Sequence, residues 1–263
     1  MTARFIIQGA FILSLQAALL TGCKTRPDRS EASIKAGAPP AVKQPAADPA
    51  VPPDTEAILK QAAAKPSAPF AGEGWKPLFD GKTLTGWQET LFGGHGAVEC
   101  DSGMIVMNMG DQLTGINWTN DVPKVDYEVA LDAMRVDGSD FFCGLTFPVK
   151  DSFCSLILGG WGGAVVGLSS IDGEDASENQ TTQYMKFDKG RWYRVRVRVT
   201  GEKIQVGLDE NNVIDLFLED RKISLRYGDI ERSKPLGIAT WQTTGAVRQI
   251  KLRQLGEADT RKK

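Results

Sequence analysis

From Val125 onward the chain carries a period of two: Val125, Tyr127, Val129, Leu131 and Ala133 alternate with Asp126, Glu128, Ala130 and Asp132. The same period returns where Tyr193, Val195, Val197 and Val199 alternate with Arg194, Arg196 and Arg198, and again at Ile204, Val206 and Leu208. Runs at Val213 to Leu218 and Val247 to Leu255 follow, and shorter ones lie at 104–107, 141–147, 153–158, 164–168 and 236–241. Successive side chains of a strand point to opposite faces, so such alternation marks half-buried strands. Turn formers punctuate the runs: Asp137-Gly138, Lys189-Gly190, Asp209 to Asn212, and Ser233-Lys234-Pro235. No window after Ala71 holds a sustained 3.6-residue apolar period. Ten or more short strands of this kind predict an all-β domain, a two-sheet antiparallel sandwich with a jelly roll as its closure.

Composition divides the 263 residues into unequal parts. Nine of the 13 prolines fall between Lys24 and Phe70, while all six tryptophans lie between Ala71 and Gly256. Residues 24–70 are poor in core-forming side chains and read as a disordered Pro/Ala-rich linker, with a transient helix favoured over 54–64. Residues 71–256 form the folding domain, long enough for one sizeable core, and 257–263 a charged tail. At the front, Arg4 precedes an apolar run from Phe5 to Leu20, too short and interrupted for a stable span. The run ends in Leu20-Thr21-Gly22-Cys23, which resembles the bacterial lipoprotein processing box. That resemblance implies a signal over 1–23, lipidation at Cys23 and a membrane partner through the anchor. Because Lys24 rather than Asp follows, it also implies export across the inner membrane, to the outer membrane or the periplasmic face.

Charge and cysteine content narrow the chemistry. Residues 71–256 hold 20 Lys/Arg against 26 Asp/Glu, a balance that argues against a nucleic-acid partner. One histidine, His95, excludes a multi-histidine metal site. The domain's Cys100, Cys143 and Cys154 lack metal-type spacing; burial as small apolar residues is the favoured reading, and a Cys143–Cys154 disulfide across a turn near Pro148 the other. No cofactor is required by the sequence, and Ca²⁺ or another oxygen-bound divalent cation is the metal this composition leaves open.

The segment Gly74-Trp75-Lys76-Pro77-Leu78-Phe79-Asp80-Gly81-Lys82-Thr83-Leu84-Thr85-Gly86-Trp87 resembles the opening of the 3-keto-disaccharide hydrolase-like domain family. Gly190-Arg191-Trp192-Tyr193 through Val199, and Leu236 through Gln242, extend the resemblance over about 74–255. It implies a concanavalin A-like lectin/glucanase jelly roll and cleavage of disaccharides already oxidised at C3. A keto group there acidifies the C2 proton, so a base removes it and the C1 substituent is expelled; the site needs a base and a stabiliser for the enolate oxygen. Thr146 and Pro148 stand where many members carry Gln and Arg. Thr244 stands in place of a His, while Gln242 is kept.

Four features are candidates for chemistry. Gly159-Gly160-Trp161-Gly162-Gly163 presents an indole either as a sugar-stacking platform or as a buried bend residue. The loop 172–180 gathers Asp172, Asp175, Glu178 and Asn179, suited to hydroxyl recognition, acid–base work or a cation, or simply solvated. Arg194, Arg196 and Arg198 share a strand face, either a binding surface for anionic sugars or, the favoured reading, a solvated outer face pairing with acidic neighbours. His95, between two glycines, is a base candidate or a surface residue. The leading reading is an extracytoplasmic hydrolase of 3-keto-glycosides, with Asp172, Asp175, Glu178 and His95 as acid–base candidates and Trp161, Asn179, Trp241 and Gln242 as sugar contacts. A non-catalytic carbohydrate-binding module and a structural cell-envelope domain are the alternatives.

Overall fold

The computed structural model describes residues 55–260. A helix, α1 (Thr55–Ala63), comes first. Fifteen strands follow: β1 (Lys76–Pro77), β2 (Trp87–Glu89), β3 (Val98–Asp101), β4 (Met104–Met107), β5 (Leu113–Trp118), β6 (Tyr127–Gly138), β7 (Cys143–Val149) and β8 (Ser152–Gly160). Then come β9 (Val165–Ser169), β10 (Gln183–Tyr184), β11 (Tyr193–Val199), β12 (Lys203–Leu208), β13 (Asn211–Phe217), β14 (Gly237–Trp241) and β15 (Thr243–Gln254). A 3₁₀ turn over Asp229–Ser233 precedes β14, and a short helix α2 (Glu257–Thr260) ends the described chain.

The strands form two antiparallel sheets. One has eight strands, in the order β13-β12-β11-β6-β15-β4-β3 with β1 on β15; the other has seven, in the order β10-β9-β8-β7-β14-β5-β2. Sequence neighbours such as β4 and β5 or β14 and β15 lie in different sheets, so the chain crosses repeatedly between them as a jelly-roll sandwich. The expected alternation has its cause here. Val129, Leu131, Val195, Val197, Ile204 and Val206 turn inward from one sheet, and Cys143, Leu145, Phe147, Leu156 and Leu158 from the other, into one core.

The family-like opening is built into this core. Trp87 is buried and its Nε1 donates to the Leu78 carbonyl at 2.8 Å. Asp80 accepts from the N–H groups of Thr83 and Lys82 at 2.7 and 2.8 Å, closing the turn and holding its carboxyl below the ordinary value. Gly86 is required by contact, since a Cβ there would lie 2.5 Å from the Trp118 ring. The motif specifies a fold.

Cys143 and Cys154 are free and fully buried, and burial pushes both thiols up to about 12. The hairpin sets Cys143 opposite Leu158 and Cys154 opposite Phe147, a register that does not align the two for a bridge.

Residues 55–70, expected to be linker, are structured. From Thr55 the chain lies docked on the outer face of the eight-stranded sheet, correcting the expected boundary. Ile58 and Ala62, one turn apart on α1, bury against Met104, Val106, Met134, Val136 and Ala246. Past the helix the packing is polar. Arg248 donates to the Lys65 carbonyl at 2.7 Å, Arg194 to those of Ala68 and Pro69 at 2.5 and 3.2 Å, and Arg253 to that of Glu73 at 3.3 Å. A Pro/Ala segment buries little apolar surface itself, but its carbonyls serve guanidinium donors that the sheet would otherwise leave unsatisfied.

The start of the charged tail is docked too, the Asp259 carbonyl accepting from Arg198. The signal expected over 1–23, the lipidation expected at Cys23 and the linker expected up to residue 54 lie outside the described residues. Among those described, no helix is long and apolar enough to cross a membrane.

Candidate functional site

The outer face of the seven-stranded sheet carries a pocket of about 430 Å³. Its floor is set by the strand period. Cys154, Leu156 and Leu158 of β8 point into the core, so Ser155 and Ile157 point out, joined by Ser169 at the end of β9 and Leu113 at the start of β5. Phe141, Trp161, Tyr227, Ile230 and Trp241 form apolar and aromatic walls, and Gln112, Asp140, Arg226 and Asp229 bring polar groups. Tyr227 is 95% exposed and Trp161 43%, so their rings are free for a ligand, whereas Phe141 packs on Ile157 and on the Trp241 side of the site.

Two arrangements hold the walls. Trp161 sits at φ 49° in a turn whose Gly159, Gly162 and Gly163 are also left-handed. Arg135 reaches under it from β6: its Nη2 donates to the carbonyls of Asp140, Gly159 and Gly163 at 3.0–3.1 Å. A Cβ at Gly159 would stand 2.3 Å from that nitrogen, so the glycine is needed for the turn to close on the guanidinium. Asp140 fixes the other side, its carboxylate accepting from the N–H groups of Phe141 at 2.7 Å and Gly162 at 3.0 Å. At the opposite end Arg226 pairs with Asp175 at 3.2 Å, and Asp175 accepts from the hydroxyls of Ser169 and Ser170 at 3.2 and 3.3 Å.

The structure sorts the expected site residues. Trp161 and Trp241, eighty residues apart, line one pocket. Gln242 stands beside it, exposed at φ 42°, with Nε2 donating to the Asp111 carbonyl at 3.1 Å. Asp175 is behind the wall as the partner of Arg226.

The other candidates are corrected. Asn179 is buried and spent within its own loop: Nδ2 donates to the carbonyls of Leu168, Glu174 and Asp175, and Oδ1 accepts from Thr181. Asp172 faces away, accepting from the Lys222 N–H and from Arg221 at 2.8 Å each, which holds its carboxyl below the ordinary value and suits no general acid. Glu178 is exposed and outside the pocket lining. His95 is half-buried in its own turn, its Nδ1 3.0 Å from the Gly96 carbonyl, also outside the lining. In loop 172–180 the cations that meet Asp172 and Asp175 are arginines, and no three His, Cys, Asp or Glu side chains gather as a metal site among the described residues.

Sequence reasoning missed Asp140, Arg226, Tyr227 and Asp229. The visible signal was Arg226-Tyr227-Gly228, an aromatic beside glycine in a charged, strandless stretch. A larger cleft of about 790 Å³ runs along edge strand β13, but Phe217 is the single ring in its lining and none of the sequence candidates lines it.

Fold and site together define an antiparallel jelly-roll domain with an aromatic-walled polar pocket on one sheet face. The chain belongs to the 3-keto-alpha-glucoside-1,2-lyase-like domain family, whose model matches residues 74–253. No curated protein matches it. Among solved structures it is similar to the carbohydrate-binding module CBM66 from Bacillus subtilis, at 16% identity over 64% of this chain and 96% of that one, TM-score 0.45. Domain 4 of AbnA, an extracellular arabinanase from Geobacillus stearothermophilus solved with arabinotriose, is 12% identical over 71% of this chain and 94% of that one, TM-score 0.45. The Crh5 transglycosylase solved with NAG is 10% identical over 70% and 85%, TM-score 0.47. Scores at this level carry no residue and no activity across.

Proposed function

We propose that the domain binds a sugar in the pocket walled by Trp161 and Trp241 and cleaves 3-keto-glycosides there by elimination. The observation that carries this reading is the coincidence, in one pocket, of exposed rings with a carboxylate and a guanidinium. Rings stack on the apolar faces of pyranoses while charged groups orient hydroxyls. Membership of a 3-keto-alpha-glucoside-1,2-lyase-like family supports 3-keto-glycosides as the substrate class of this reading. Asp140 is the proposed base: it takes the C2 proton as the C–H electrons form the enolate. Collapse of the enolate makes the C1–C2 double bond and breaks the C1–O bond, the leaving oxygen taking the proton from the Asp140 carboxyl. Arg226 is the proposed partner of the developing enolate oxygen. Water adding its hydroxyl to C1 and a proton to C2 would complete a net hydrolysis.

Turnover of a 3-keto-disaccharide by the purified mature chain, with and without Ca²⁺, tests this. Asp140→Asn is expected to lower turnover roughly a hundredfold with affinity retained. Binding without any turnover by the wild type would move the assignment to a non-catalytic module, a second reading favoured by the two backbone N–H groups that already occupy the Asp140 carboxylate. No glycan binding at all would leave a structural envelope domain. We further propose, from the resemblance of Leu20-Thr21-Gly22-Cys23 to the lipoprotein processing box, that a lipid at Cys23 holds the domain outside the cytoplasm; Cys23→Ser should move the protein from the detergent phase to the aqueous phase.

A further inference from the structure

Three arginines of the described chain are nine-tenths buried or more. Arg248 and Arg253, each 8% exposed, pair with Asp132 and Glu128. Arg135, 6% exposed, has no carboxylate within ion-pairing distance; backbone carbonyls of Asp140, Gly159, Gly163 and Phe187 receive its Nη donors, and its Nε has no partner. A guanidinium remains charged when buried, and with the Asp140 carboxylate acting on it only from beyond ion-pairing distance the charge is incompletely compensated, at a cost in folding energy.

That charge lies beneath a second groove, of about 500 Å³, on the far side of the Trp161 turn. The two depressions meet along the chain: Asp140 and Trp161 line the first, Ser139 and Gly162 the second. The saddle is nearly bare, since nothing stands within 4 Å of a Cβ built on Gly162. Besides Arg135 the second groove is lined by Lys186, Lys189 and Tyr184, whose ring is 75% exposed, and by no carboxylate. Asp188 and Asp137 meet the two lysines at 3.0 and 2.7 Å from outside the lining, so the charged groups that line the groove itself are the two ammonium groups and the Arg135 guanidinium.

We infer that this groove is a subsite for an anionic sugar unit, a carboxylate- or sulfate-bearing residue linked to the one held between Trp161 and Trp241. Tyr184 supplies the stacking face, Lys186 and Lys189 meet the anion, and Arg135 biases the groove toward negative charge. The inference rests on the proposed sugar pocket and goes beyond it by assigning the neighbouring unit of the ligand.

The test compares three disaccharides, glucuronyl-glucose, a sulfated glucosyl-glucose and neutral glucosyl-glucose, titrated into the mature chain by calorimetry. One or both anionic probes should bind roughly fivefold to tenfold tighter than the neutral one at low salt, and the advantage should shrink as salt is raised. Which of the two gains identifies the carboxylate or the sulfate. Lys186→Gln with Lys189→Gln should erase most of the advantage and leave neutral binding unchanged. Both lysines are exposed, so this variant is expected to fold even where Arg135→Met does not. Equal affinity for all three probes, or an advantage that survives in the double lysine variant, overturns the subsite while leaving the sugar pocket standing. Failure of every probe to bind overturns both.

Discussion

On the outer face of the eight-stranded sheet, charge is consumed by the fold. Asp132 accepts from Arg194 at 3.1 Å, Arg248 at 3.3 Å and Ser67 at 2.7 Å, while Glu128 takes Arg253 at 2.6 Å and Arg198 at 3.6 Å. The docked segment from Thr55 to Trp75 covers this network, and Arg248 and Arg194 lie over the rings of Trp192 and Phe70 at 4.2 and 4.4 Å. The outer face of the seven-stranded sheet differs. Its rings stay exposed at Trp161 and Tyr227, and Arg135 beneath its rim has no ion partner. One sheet face buries its charged groups in paired contacts beneath a covering segment, while the other leaves aromatic rings open above groups that are themselves paired. In a sandwich with two outer faces, that difference is the ground for proposing the open face as the binding side.

The comparison breaks most visibly at Asp132. Asp132→Ala strands two guanidiniums beneath the strap and should cost about 3–5 kcal/mol, read as a lower urea midpoint. A loss below about 1 kcal/mol would mean that the network is solvated and the contrast between faces false. Ile58→Ala should cost about 2 kcal/mol and release the protection of 55–70 against hydrogen exchange; unchanged protection would show the carbonyl contacts alone hold the strap. On the other face, Trp161→Ala should weaken sugar binding roughly tenfold with no loss of thermal stability, because its ring is largely outside the core. The smallest effect belongs to Arg196, the exposed member of its stripe. Arg196→Ala should change stability by less than about 0.5 kcal/mol, where Arg194→Ala costs measurably more.

That stripe shows how legibility fails by degrees. The period of two places Arg194, Arg196 and Arg198 on one outward face, and Arg194 and Arg198 pair with the acidic neighbours Asp132 and Glu128. Alternation says which face a residue takes, but whether that face meets water depends on what lies over it. The covering segment reads as linker because its apolar content is low, yet it docks through Ile58 and Ala62 and, beyond the helix, through carbonyls offered to arginines. Loop 172–180 fails in the opposite sense. Four carboxylates and amides close in sequence suggested a site, yet Asn179 closes the loop on itself and Asp172 turns to Arg221. Local density of polar groups does not state where a loop points.

The sequence by itself determined the sandwich, the inward residues of its periodic strands and the family, since these depend on a two-residue period and on short motifs such as Asp80-Gly81 and Gly86-Trp87; the strands β1, β2, β3, β5 and β10 lay outside the runs it marked. Only the tertiary structure decided that Asp140, Trp161, Arg226 and Trp241 share a pocket and that residues 55–75 close the opposite face. Those relations join positions many strands apart, through crossovers between two sheets, and a period of two carries no information about which distant loops meet above a sheet.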